Sequence, residues 1–373
     1  MLDTKFDELR LTGDLPSPSA VGLRILSLTQ GDDFDQDEIT KTLMADPALS
    51  GRIIKLATSA DKAGSEQISS VPQAAMRLGV NSVRSIALGF TLVSDNRGGG
   101  CTAFDYDQYW SESLAMAVAA SALARKNKSF DPAGAFTCAL MSNVGKLALA
   151  SVHPDTYSEV LSENPGVDRR ELAKIEMRVF EISHYEVTSA MLEDWGLPSV
   201  FGEAILATRN EFVPRGDDET SRLHRLLNAA AAIGSALSQS EEATSQELID
   251  AFTAMESAAE YTGLTREELF ELCDTITASW QDWGSVLKVP TRSALSFVDQ
   301  AADIDRRRAI AAAHERFRDA PAQPEAAEVV EGVVCPVEDP TRILLIDDDD
   351  RMLRLIRHHL TREGYEVTTV QSS

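Results

Sequence analysis

Between its N-terminus and about Asp319 the chain is punctuated repeatedly by helix-start signals, with apolar residues at helical spacing between them and almost no alternating strand-like runs. This part is therefore expected to be all-helical. Asp35 with Glu38, Asp168 with Glu171, Thr244 with Glu247 and Thr265 with Glu268 each spell a capping box, in which the first side chain accepts an orphan amide and the Glu reaches back to the cap. Asp46-Pro47 and Asp131-Pro132 place a capping side chain before a proline at the first helical position, where its missing N–H costs nothing. Leu223, Leu226, Leu227, Ala230, Ile233 and Leu237 share one helix side, and Leu269, Leu272, Ile276, Trp280 and Trp283 share another. Both faces are expected to be buried.

At 373 residues the chain has room for two or three domains at ~150 residues each. Its 35 Lys and Arg against 59 Asp and Glu leave a net charge of −24, which repels a phosphate backbone and argues against non-specific nucleic-acid binding. Hydrophobic residues at 43% and charged residues at 25% exclude global disorder. Cys101, Cys138, Cys273 and Cys335 stand far apart with no Cys-x-x-Cys pair, against both a zinc site and a disulfide framework. The N-terminus lacks a basic start followed by an apolar run, and no uncharged apolar stretch reaches the ~20 residues of a membrane span. A cytoplasmic protein without a membrane partner is the expectation.

The organisation expected is an all-helical domain over 1–290, a connecting helix over 291–318, a flexible linker over 319–341 and an α/β segment over 342–373. Asp95 to Gly100 reads as a flexible break. In the connecting helix the charges of Asp303 to Arg308 lie beside Leu295, Val298, Ala302 and Ile310, a weak seam that suits a solvated surface helix. After the Ala-, Pro- and Glu-rich linker, Arg342 to Asp350 is a buried-strand run ending in acids. Met352, Leu355, Ile356 and Leu360 share a helix face, Gly364 is a stop, and Tyr365 to Val370 reads as a second strand. This is the opening β-α-β of a parallel sheet. Two strands and one helix cannot bury both faces of a sheet, so the segment is expected to continue in a longer protein or to pack on something else.

No phosphate-cradling Gly-x-x-x-x-Gly-Lys-Ser/Thr loop occurs, and Gly98 to Gly100 lacks the strand-to-helix setting of a dinucleotide fingerprint. None of His153, His184, His224, His314, His358 and His359 is followed by Asp or belongs to a His-Glu-x-x-His motif. His358-His359 reads as a surface pair on its helix.

In order along the helical region stand Leu15-Pro-Ser-Pro, Asp46-Pro-Ala-Leu-Ser-Gly-Arg-Ile-Ile-Lys-Leu-Ala57 and Ile68-Ser-Ser-Val-Pro-Gln-Ala-Ala-Met-Arg-Leu-Gly79. Met141-Ser-Asn-Val-Gly-Lys-Leu147, Phe180-Glu-Ile-Ser-His-Tyr-Glu-Val187 and Trp195-Gly-Leu-Pro198 follow. From Leu11 to Trp283 this series resembles the HDOD domain, the HD-related output domain of bacterial signalling proteins. The resemblance implies an all-helical, non-catalytic module that passes signals through protein contacts. Where catalytic HD relatives carry a metal-binding His-Asp before Gly-Lys, this chain has Ser142-Asn143. His184 is then expected to be structural and Lys146 to be a helix-start or surface cation, with no catalytic residue. A degenerate HD-type phosphohydrolase or a nucleotide-sensing domain is the alternative reading.

From Arg342 to about Val370 the chain resembles the start of a response-regulator receiver domain. That resemblance implies a phosphorelay, with Asp347 and Asp348 as Mg²⁺ ligands once the domain is complete. The family's phosphoacceptor lies on a later strand, so none is expected in this chain. A sensor kinase and a diguanylate cyclase-type output are the partners such an arrangement implies.

Overall fold

Helix starts written into the sequence become real ones wherever the cap is described. In this computed structural model the described residues are 2–28, 36–59, 68–210, 215–239, 244–292, 296–318, 342–347, 354, 356–357, 360–361 and 366–371. An N-terminal group comprises α1 (Leu2–Leu11), α2 (Ala20–Leu28), α3 (Gln36–Met44), α4 (Pro47–Ser59), α5 (Val71–Leu78) and α6 (Val80–Asp95). The middle of the chain forms α7 (Tyr106–Asn127), α8 (Pro132–Met141), α9 (Val144–Val152), α10 (Pro154–Glu163), α11 (Arg169–Phe180), α12 (His184–Asp194) and α13 (Ser199–Ala207). Four longer helices follow, α14 (Glu219–Ser238), α15 (Ser245–Thr262), α16 (Arg266–Leu287) and α17 (Phe297–Arg318). Two strands, β1 (Arg342–Asp347) and β2 (Glu366–Gln371), pair in parallel with Arg342 opposite Glu366 and Asp347 opposite Gln371.

The chain divides into two compact units, Met1–Glu315 and Arg316–Ser373. In the first, α7 is the central column, packed against α8, α14 and α16. Leu114, Ala115, Met116, Ala117, Ala119, Ala120, Leu123 and Ala124 are all buried, so this helix meets protein on nearly every side. Its small residues let neighbours come close. A Cβ on Gly234 of α14 would lie 3.0 Å from the backbone nitrogen of Met116, so any larger residue there would require the two helices to give by a few tenths of an ångström. Trp280 of α16 is fully buried and donates its indole N–H to the Ser111 carbonyl at 3.1 Å.

Thr244 with Glu247 and Thr265 with Glu268 form complete capping boxes. Asp131 accepts from the Gly134 amide at 2.7 Å, and Asp46 from that of Leu49 at 3.0 Å. Asp168 accepts from the amides of Arg170 and Glu171, but the box is half-made because Glu171 pairs with Lys174 at 2.9 Å. Asp35 lies outside the described residues. Cys101, Cys138 and Cys273 are buried free thiols; Cys335 is not among the described residues.

Two expectations need correction. The segment at Asp95 to Gly100 is tied down, since Trp110 donates to the Asn96 carbonyl at 2.8 Å and Arg97 to that of Lys288 at 2.8 Å. The connecting helix begins at Phe297, and Phe297, Ala301 and Ile304 are buried whereas Val298 is 48% exposed. Its seam is thus offset by one residue and is stronger than the sequence implied. Asp274 of α16 fixes that start, accepting from the Ser296 hydroxyl at 2.8 Å and the Phe297 amide at 2.6 Å, and the Phe297 ring stacks on Phe252 at 5.7 Å. Pro132–Val152 has the length and hydropathy of a membrane span, although it carries the charge of Lys146. It is two helices broken at Ser142-Asn143, and most of it is buried within the protein.

The linker over 319–341 lies outside the described residues, as do Asp348, His358 and His359. Between the strands Arg354, Ile356, Arg357, Leu360 and Thr361 are helical. Parallel neighbours within one chain require such a crossover.

Because the α17 cap comes from another helix, Asp274→Ala should cost about 1–2 kcal/mol. Urea denaturation should detect this, with Asp282→Ala, an exposed neighbour on α16, close to neutral.

Candidate functional site

The Ser142-Asn143 break ends α8 and starts α9, and α12 is anchored beside it. A Cβ on Gly145 would lie 2.0 Å from the His184 carbonyl oxygen, so the Gly-Lys step is glycine because two main chains touch there. The Gly145 amide also donates to Thr188 Oγ1 at 2.9 Å, locking α9 to α12. Ser183 and Glu186 form a capping box that starts α12 at His184. The Ser-x-x-Glu spacing was legible in the sequence, although the signal was not singled out. Glu186 also pairs with Arg209 of the segment after α13.

His184 is fully buried and is gripped by Glu176 of α11, itself fully buried. Glu176 Oε2 lies 2.6 Å from His184 Nδ1 and accepts the His184 backbone amide at 2.8 Å, while Oε1 accepts the Tyr157 hydroxyl at 2.8 Å. Burial works against the Glu176 carboxylate, but His184 and the donated hydrogen bonds hold its pKa below the ordinary value. Burial lowers the His184 pKa, and the positive charges of Lys146 and Arg169 add to this effect. The ring is therefore neutral near pH 7, donating from Nδ1 and leaving Nε2 as a bare acceptor. Nε2 is buried with no hydrogen-bond partner among the described residues.

Ser142 and Asn143 are buried next to this pair. The Ser142 hydroxyl donates to the Ala139 carbonyl at 2.8 Å, and the Asn143 carboxamide oxygen accepts from Arg169 Nη1 at 3.4 Å. The Arg169 Nη1 also lies 4.0 Å from Met116 Sδ, which the Ser142 hydroxyl approaches at 3.6 Å. Lys146 is half-buried, and its ammonium makes no hydrogen bond or ion pair among the described residues. Burial chiefly lowers its pKa. It stands in the first turn of α9, in keeping with a helix-start cation, but it is not an exposed surface cation.

The fold thus brings together Ser142, Asn143, Lys146 and His184, and adds Glu176, Arg169 and Tyr157, which sequence reasoning missed. Nothing in the spacing of a single Glu or Arg on a helix announces a long-range partner. A second buried histidine, His224 of α14, was also missed. Both its ring nitrogens lack partners among the described residues, and burial, with Arg170 and Arg225 nearby, lowers its pKa to about 4. No group of three or more His, Cys, Asp or Glu among the described residues is placed to hold a metal ion. Asp347 ends β1 in the other unit, and its intended companion Asp348 is outside the described residues.

Fold and niche together define an all-helical domain built round a histidine–glutamate pair. The HDOD domain model matches residues 15–211, just over half of the chain, and the chain belongs to the HDOD family. Among solved structures it is similar to an HDOD domain protein of unknown function from Geobacter sulfurreducens, at 19% identity and TM-score 0.56, covering 77% of this chain and 99% of that one. A candidate phosphohydrolase from Shewanella amazonensis SB2B matches at 19% identity and TM-score 0.58, covering 77% and 97%. The MmoQ response regulator from Methylococcus capsulatus matches at 32% identity and TM-score 0.43, covering 70% and 98%. No curated protein matches the chain.

The two buried imidazoles make the fold acid-sensitive. Below about pH 6.5 the unfolded chain protonates His224, but the folded chain does so only near pH 4, so stability falls as pH drops across that window. The shift corresponds to roughly 3 kcal/mol. Denaturation at stepped pH should show a shallower loss for His224→Phe than for the unaltered chain.

Proposed function

We propose that the chain is a signal-transduction module acting through protein contacts rather than catalysis. The helical unit is its regulatory surface, and the β1–β2 unit is the beginning of a receiver-type domain. The observation that carries this reading is the state of Ser142 and Asn143. In the position of a metal-binding dipeptide stand a hydroxyl bonded to its own helix and a carboxamide facing Arg169. Two cations, Lys146 and Arg169, act on the neighbouring His184. That is a poor setting for a divalent ion, which takes anionic or imidazole ligands. A degenerate phosphohydrolase is the weaker reading for the same reason, and likeness to a candidate phosphohydrolase at 19% identity speaks for the fold alone.

For the second unit, a parallel strand pair whose first strand ends in Asp347 supports a receiver-type sheet. Asp347 and Asp348 would supply carboxylate oxygens of the kind Mg²⁺ prefers, to balance charge on a transferred phosphoryl group. A sensor kinase is then the input partner and a diguanylate cyclase-type protein a candidate output, both in the cytoplasm.

The direct test is to incubate purified chain with Mg²⁺ or Mn²⁺ and phosphodiester, cyclic dinucleotide and nucleotide substrates. No hydrolysis above background is expected. Turnover that His184→Ala abolishes would overturn the non-catalytic reading.

A further inference from the structure

The charges that tie α17 to its neighbours can be paired in two ways. Arg266 of α16 pairs with Glu256 of α15 at 2.8 Å and with Asp305 of α17 at 2.7 Å, and Arg308 of α17 pairs with the same Glu256 at 2.8 Å. Within α17, Arg308 also lies 3.7 Å from Asp305, and Arg307 holds Asp303 at 2.7 Å. Arg266, Arg308, Glu256 and Asp305 thus make a neutral network that spans three helices.

Lifting α17 away strands none of these charges. Arg266 and Glu256 stay together on α16 and α15, while Asp305 and Arg308 stay together along α17, at a spacing that supports a helix by itself. The bonds that break lie at the rim, where the four side chains are 23 to 49% exposed and water and salt compete for them. Arg308 Nη2 also donates to Thr253 Oγ1 at 2.7 Å, an exposed bond that water can replace. Beneath the rim the apolar seam is a single stripe, Phe297, Ala301 and Ile304, with Val298 turned outward. Phe297 anchors it against Phe252, which packs in turn on Phe270 at 5.6 Å. By contrast, Ile276 and Trp280 root α16 in the core, both fully buried. A helix with a shallow, charge-rimmed seat therefore rests on a deeply anchored one.

We propose that α17 is an ionic latch: it releases from α15 and α16 as a unit, uncovering Phe252, while the rest of the helical unit stays folded. Docked, it covers an aromatic face with its own Phe297. Released, it carries its charges in pairs of its own and leaves that face open. Peripheral elements open at a lower free energy than the whole fold, and here the exchange of ion-pair partners sets how low. The chain beyond Arg318 is attached through this helix, so the latch is a joint at which ionic strength or a charged partner acts. This goes beyond signalling by surface contact, because it names the part that moves, and it holds whether or not the second unit is receiver-type.

The test is amide hydrogen exchange of the full chain, comparing α17 between Asp303 and Arg308 with α16 between Leu269 and Thr277. In the unaltered chain α17 is expected to exchange faster than α16. Sodium chloride at about 1 M, where the Debye length is about 3 Å, should speed α17 further and leave α16 unmoved. Glu256→Gln should speed α17 about fivefold or more at low salt, as expected for losing the carboxylate that two arginines share. Glu267→Gln, which removes the same charge from an exposed position on α16, should not. Circular dichroism checks each fold, and the salt series on the unaltered chain decides alone if Glu256→Gln does not fold. The proposal is overturned if α17 and α16 exchange together under every condition, if neither salt nor Glu256→Gln changes α17, or if Glu267→Gln acts as strongly as Glu256→Gln.

Discussion

The hydrogen-bonded pair of Glu176 and His184 is the contact on which the middle of the helical unit depends. One carboxylate satisfies a ring nitrogen and a backbone amide of α12 and the hydroxyl of Tyr157 on α10, so three helices meet at a single buried charge. A buried carboxylate is tolerable only when its lone pairs are satisfied, and removing any one donor leaves an exposed cost in a low-dielectric interior. Gly145 completes the arrangement from α9, because any side chain there would strike the His184 carbonyl. The same contacts that hold the fold fix the orientation of the imidazole. Architecture and candidate site are therefore one construction.

Electrostatics then decide what that construction can do. A neutral imidazole with Nε2 bare resembles a metal ligand in isolation. Here Lys146 and Arg169 place positive charge on the ring, and Asn143 turns its oxygen to Arg169. These groups favour an anion over a cation by simple charge complementarity.

Much of the helical scaffold was legible because its signals are local. The Thr244 and Thr265 boxes and the Asp131-Pro132 start involve residues three or four apart, and each formed as read. The start of α17 was misread because its cap, Asp274, comes from another helix. The site was half-legible for the same reason. Asn143, Gly145, Lys146 and His184 belong to ordered motifs, whereas Glu176, Arg169 and His224 acquire their roles only through long-range packing. Lys146 read as a helix-start or surface cation, and the helix start holds; its partial burial follows from α9 lying against α12, which no helical period encodes.

The account turns on the protonation and ligation of one imidazole. Long-range ¹H–¹⁵N correlation spectra of the full chain near neutral pH, recorded without added phosphate and then with Mn²⁺, read both directly. The prediction is that His184 carries its proton on Nδ1, with Nε2 unprotonated, and that Mn²⁺ leaves its signals unbroadened. A proton on both nitrogens, or selective broadening of the His184 resonances by stoichiometric Mn²⁺, would contradict the account.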